Sequence, residues 1–158
     1  MSIGYLALVL HAHLPFVRHP ESDFVLEEEW LFEAITETYV PLLTMFEGLK
    51  RDGVDFKMTM SMTPPLSSML RDPLLQERYD VHLTQLEELL EKEIARNEHN
   101  GHIKYLAEYY TQEFAKVRKV WESYGGDLTK GFRKFLESGN LDIMTCEATH
   151  GYLPLMKM

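Results

Sequence analysis

The feature that most constrains this fold is an apolar segment without polar alternation, Ile3 to Leu10, that stops abruptly at His11-Ala12-His13-Leu14-Pro15-Phe16. A strand that alternates polar and apolar residues has one wet face. A strand that does not alternate is covered on both, as in parallel sheets flanked by helices. A second exit of the same kind lies near the other end, where Leu141 to Cys146 runs into Ala148-Thr149-His150-Gly151-Tyr152-Leu153-Pro154. Buried strands that end in polar and ring-bearing residues build sites at the carboxyl edge of α/β sheets.

The segments between these exits are helical in period. Leu31, Ile35, Tyr39, Leu42, Phe46 and Leu49 recur at three- and four-residue spacing and predict a helix from about Glu27 to Lys50. Pro41 predicts a kink in it, because the ring removes a donor and crowds the preceding turn. Phe56 to Thr63 reads as a second strand, stopped by Pro64-Pro65. Asp72 as cap and Pro73 at the first helical position open a long helix with Leu75, Tyr79, His82, Leu86, Leu90 and Ile94 on one face. Asn100-Gly101 breaks it. The next helix carries Ile103, Leu106, Tyr110, Phe114, Val117, Trp121 and Tyr124, and a shorter one spans Leu128 to Leu136 behind Asp127.

The predicted order is β-α-β-ααα-β, an α/β fold with a parallel sheet or barrel. Its helical insertion occupies about residues 72–138. Three strands are few for 158 residues, so residues 1–158 are expected to be the N-terminal portion of a single, larger barrel.

Composition removes several function classes. A net charge of −9 predicts no nucleic-acid partner, since phosphates demand clustered Lys and Arg, and no anionic membrane partner. Cys146 is the one cysteine, so no internal disulfide can form, which favours a reducing compartment. The apolar N-terminal run has no basic residue before it and no A-x-A-like site after it, so a cytoplasmic location is expected. The pattern leaves the oligomeric state open.

His11 and His13, two apart on an extended segment, leave the same face. Paired imidazoles can hydrogen-bond sugar hydroxyls, stabilise a nearby charge or bind a metal; alone, the pattern also fits a structural role. No third ligand follows in a clear pattern, so the expected metal and cofactor are none. His150 at the third strand's exit is predicted to converge with the pair. Trp30, just inside the first helix, suits stacking on a pyranose face, whereas Trp121 belongs to its helix's core stripe and His82 to a partly buried helix face. His19, His99 and His102 read as loop or helix-end residues. Glu21 and Asp23 read as solvated charges, and Glu27-Glu28-Glu29 as a favourable acidic first turn. Glu147 is a strand-end carboxylate, but glycoside cleavage with retention needs two carboxyls roughly 5–5.5 Å apart, and no partner stands out.

His11-Ala-His13-Leu-Pro15-Phe16-Val-Arg18-His19-Pro20-Glu21, with Glu28-Glu-Trp30-Leu-Phe-Glu-Ala after it, resembles the opening of glycoside hydrolase family 57, nearest its 1,4-α-glucan branching enzymes. Cys146-Glu-Ala-Thr149-His150-Gly151-Tyr152-Leu-Pro154 resembles that family's second motif. The resemblance implies the N-terminal part of a seven-stranded (β/α) barrel and a retaining reaction on α-1,4-glucans such as amylose or glycogen-like polysaccharide. It implies that His11, His13 and His150 line the sugar subsite beside the nucleophile, with Trp30 as a stacking contact. The catalytic Glu and Asp belong to later motifs, so no catalytic carboxylate is expected within these residues and the chain alone is expected to be inactive. Glu147 departs from the small residue expected there. The alternatives are an α-amylase or 4-α-glucanotransferase of the same family, metal-dependent sugar chemistry, and a non-catalytic glucan-binding module.

Overall fold

In a computed structural model, residues 4, 6–22 and 25–157 are described. Ile3, where the first strand was expected to begin, and Asp23 lie outside them. The chain forms a three-stranded parallel sheet with helical crossovers. Strand β1 (Val9–Ala12) and strand β3 (Leu141–Met144) flank strand β2 (Met58–Met62). The register pairs His11 with Ser61 and Met60 with Ile143.

β1 begins later than its apolar pattern predicts, so His11 and Ala12 belong to the strand itself. It is an edge strand with one neighbour, and Leu6, Leu8 and Val9 are exposed rather than covered on both faces. Apolar patterning reports what a segment is suited to bury, and among the described residues these three side chains are left uncovered.

The first crossover is one helical rod in three parts: α1 (Leu26–Ala34), a π-helical turn (Ile35–Tyr39) and α2 (Val40–Arg51). The disturbance expected at Pro41 takes the form of that π turn. Pro41 has no N–H to give the Glu37 carbonyl and its ring crowds it, and the Val40 N–H reaches back five residues to the Ile35 carbonyl. Four helices follow β2. Pro64-Pro65 does end the strand, and it also starts a short helix, α3 (Pro64–Leu70), because prolines fit a first helical turn whose N–H groups are unpaired anyway. The three expected helices come after it as α4 (Pro73–Arg96), α5 (Gly101–Ser123) and α6 (Thr129–Glu137). Asp72 caps α4 by accepting from the Leu74 and Leu75 amides at 3.0 and 3.2 Å.

The core lies between the sheet and these helices. Phe46 packs on Phe56 and Phe135 at ring separations of 5.6 and 5.2 Å. Trp121 is buried edge-on to Tyr79 at 4.6 Å, and its indole N–H donates to Asp80 at 2.7 Å. The α4 stripe is buried at Leu75, Tyr79 and Leu83, while Leu86, Leu90 and Ile94 are only half-buried. In α5, Val117 and Trp121 are buried whereas Ile103, Leu106 and Tyr110 are exposed. The outer stripe of the α4–α5 pair lies outside the core, and among the described residues no third element buries it.

Candidate functional site

Parallel pairing brings the carboxyl ends of all three strands to one edge, and the histidines meet there. The His150 ring lies 4.9 Å from His11 and 4.2 Å from His13, with His11 and His13 6.0 Å apart. The three rings are roughly parallel, 25–27° between planes. That arrangement turns ring faces toward one another rather than aiming three lone pairs at one point. Among the described residues, no group of three or more His, Cys, Asp or Glu side chains could hold a metal ion.

β2 braces the pair. Ser61 Oγ lies 2.5 Å from His11 Nδ1, and Thr63 Oγ1 lies 3.1 Å from His13 Nδ1. Both hydroxyl residues are buried. With Nδ1 occupied on each ring, Nε2 is the nitrogen left for an incoming group, and the hydroxyl's choice to donate or accept decides which tautomer it presents. Burial, then the neighbouring His150 and His11, hold the His13 imidazolium below its ordinary range. His13 therefore presents a neutral ring near pH 7, suited to uncharged hydroxyls.

His150 reaches the cluster through an unusual backbone. Its φ of 62° makes it the one non-glycine residue with positive φ among the described residues. Glu147 wraps the turn around it: Oε2 accepts from the Thr149 amide at 2.8 Å, the Thr149 hydroxyl at 2.8 Å and the Gly151 amide at 2.7 Å. Those bonds, from Gly151 first and then Thr149, keep the Glu147 carboxyl below the usual range and ionised.

The loop after the histidine pair is fastened to the helices at several points. The Val17 amide points at Met69 Sδ at 3.3 Å, and Arg18 pairs with the capping residue Asp72 at 2.6 Å. Arg78 pairs with buried Glu28 at 2.5 Å and donates to the carbonyls of His19 and Ser22 at 3.2 and 2.5 Å. Glu28, one of the three acids of α1's first turn, is thus also a buried anchor. Glu21 pairs with His19 at 3.1 Å and is exposed, as a surface charge should be.

Trp30, 49% exposed, shares a shallow recess with Leu14, the residue after His13, and with Glu33 and Ala34. Glu37 and Thr38 connect that recess to an apolar groove of about 550 Å³ that begins at His11 and runs past Leu42 and Met45. His82 is a half-buried helix residue, 5.1 Å from the Phe32 ring and 3.3 Å from a Glu29 carboxylate oxygen.

Sequence reasoning missed Ser61, Thr63 and the work of Glu147. The alternation Met58-Thr59-Met60-Ser61-Met62-Thr63 carried the signal for the first two: polar residues recur every second position and put hydroxyls on one face beside the histidines. For Glu147 the signal is the donor spacing, Thr149 and Gly151 two and four residues on.

Parallel strands joined by helical crossovers, with ring-bearing residues gathered at their carboxyl edge, define the opening part of a (β/α) barrel. Residues 7–158 match the Glycosyl hydrolase family 57 domain, and the chain belongs to that family. It is 36% identical over 155 residues to a 1,4-alpha-glucan branching enzyme of Thermococcus kodakarensis, covering 97% of this chain and 22% of that protein. The crystal structure of the alpha-amylase AmyC from Thermotoga maritima superimposes with a TM-score of 0.89 at 49% identity, over 94% of this chain and 28% of that one. A GH57-type branching enzyme from Pyrococcus horikoshii gives a TM-score of 0.91 at 34% identity, over 98% of this chain and 29% of that one. The chain thus spans less than a third of the length of these relatives. Among the described residues, no helix is long and apolar enough to cross a membrane.

Proposed function

We propose that residues 1–158 form the N-terminal part of one catalytic barrel acting on α-1,4-glucans, and that the reaction is 1,4-α-glucan branching. The observation that carries this reading is the cluster of three stacked imidazoles at the sheet's carboxyl edge. The His11 and His13 rings are held through Nδ1 by Ser61 and Thr63, and His13 is kept neutral. In this reading His11, His13 and His150 hydrogen-bond sugar hydroxyls through Nε2 and fix the reacting glucose ring. Trp30 offers a stacking face in the recess that Glu37 and Thr38 join to the groove beside His11. Orientation of this kind contributes to rate by converting a chance encounter into a fixed one. The nucleophile and the acid/base come from segments that the relatives carry beyond the matched region. Polysaccharide such as amylose is the partner and no metal takes part.

The 49% identity to a protein described as an alpha-amylase supports a second reading, in which water rather than a sugar 6-hydroxyl receives the chain. Incubation of amylose with the full-length polypeptide encoded by the gene separates the two. New α-1,6 linkages with few new reducing ends are expected. Reducing ends without α-1,6 linkages would establish the hydrolytic reading, and neither product would refute both.

A further inference from the structure

We propose that Glu147 is a positioning residue whose carboxylate, by tying together the residues on either side of His150, holds that imidazole against His11 and His13. Three donors, the Thr149 amide, the Thr149 hydroxyl and the Gly151 amide, converge on its Oε2 at 2.7–2.8 Å. The His150 amide closes the same turn by donating to the Glu147 carbonyl at 3.0 Å. Between those donors His150 adopts a left-handed backbone, which L side chains take up only at a steric cost. Bonds to an ionised acceptor are the stronger kind and suit the task of holding such a turn.

Gly151 shows how tightly the turn closes on the carboxylate. A Cβ there would sit 3.3 Å from Glu147 Oε2 and 2.7 Å from Met156 Sδ. The oxygen that carries the brace is already committed to three donors, and those donors favour the ionised form over a proton-donating acid. Glu147 therefore acts on the sugar site through His150. The catalytic consequence rests on the glucan reading above; the claim about the ring's position does not.

The test uses the full-length polypeptide and four variants: Glu147→Ala, Glu147→Gln, His150→Ala and the Glu147→Ala/His150→Ala pair. Crystal structures read the ring positions, and the rate on amylose with maltotetraose affinity reads the site. In Glu147→Ala, His150 is expected to leave its 4.2 Å contact with His13. The kcat/KM is expected to fall by about tenfold or more, since an ångström of misplacement can cost about a hundredfold. Glu147→Gln keeps an acceptor oxygen and is expected to retain the ring position and most of the rate. The double variant is expected to be no worse than His150→Ala, the signature of one residue acting through another.

The proposal is overturned if His150 stays in place in Glu147→Ala, or if the double variant falls well below His150→Ala. It is also overturned if Glu147→Gln is inactive with the ring undisturbed, which would put the carboxylate on substrate. Should the alanine variant not fold, Glu147→Asp withdraws the carboxylate by one methylene while keeping its charge, and is expected to displace the ring likewise. A wild-type protein that neither binds maltotetraose nor acts on amylose refutes the glucan reading, and the ring positions still decide the part about Glu147.

Discussion

Replacing Arg78 by methionine removes the cation that holds the loop behind the histidine pair. Methionine fills most of the same space, so the change isolates the charge and its hydrogen bonds. The Glu28 side chain is only 3% exposed and that of Arg78 16%. Without Arg78 the Glu28 carboxylate keeps, among the described residues, the His19 amide at 3.3 Å. Stranding one member of a buried ion pair costs about 3–5 kcal/mol. Arg78 retains some contact with water and the two freed carbonyls belong to a surface loop, which places the expected loss near the lower end, about 3 kcal/mol. Domains are typically stable by about 5–15 kcal/mol, so this is a large share. Chemical denaturation followed by far-UV circular dichroism measures it as a lower midpoint at unchanged slope. Adding Glu28→Gln should recover more than half of the loss, because no charge is then left buried. A single variant within about 1 kcal/mol of wild type, or a double variant no better than the single, would refute the argument.

Three further outcomes are expected. Gly131→Ala should gain about 1 kcal/mol of helix propensity yet place a Cβ 2.8 and 2.9 Å from the Leu43 methyls and 3.0 Å from the Tyr124 ring. Leu43 is fully buried and cannot step aside, so overpacking of about 1–3 kcal/mol wins, and a net loss of about 1 kcal/mol should appear in the same denaturation assay. Thr63→Val removes the hydroxyl beside His13 Nδ1; maltotetraose affinity, measured by calorimetry, should weaken about tenfold or less, the equivalent of one net hydrogen bond. Because burial and its histidine neighbours hold the folded His13 value below 6.5, the unfolded chain takes up its proton first as the solution is acidified. The stability associated with His13 is complete above about pH 6.5 and declines as pH falls through that value and then through the lower folded one. Urea titrations on either side of that window should record a decline, and His13→Gln should reduce it.

Elements that depend on local pattern were legible in the sequence. Asp72-Pro73 announced the start of α4, and the spacing from Leu31 to Leu49 announced the first crossover. What depends on neighbours was not. The apolar run at Leu6–Val9 could not say that Leu6, Leu8 and Val9 are uncovered among the described residues, and the stripe Ile103–Leu106–Tyr110 could not say that these three lie outside the core. The site followed the same division. The place of His11, His13 and His150 at strand exits was visible from the ends of apolar runs, since parallel strands put all such exits on one edge. The hydroxyls behind them were not, because Ser61 and Thr63 matter only once the register sets them beside the histidines. Glu28 read as one of three equivalent acids until Arg78, fifty residues on, reached it.

The π turn at Ile35–Tyr39 works as a phase adjuster. A regular helix advances about 100° per residue, so one surplus residue in a single turn rotates everything beyond it by that angle without breaking the rod. Upstream, Phe32 packs on Tyr79 and His82 of α4; downstream, Phe46 packs on Phe135 of α6 and Leu43 lies against Gly131 of the same helix, while α2 also contacts α5. Deleting one residue here would repair the hydrogen-bond ladder and still damage the protein, because one half of the rod would then turn its apolar side away from its partner. A local defect in the helix is what lets a single rod mesh with α4 through one half and with α5 and α6 through the other.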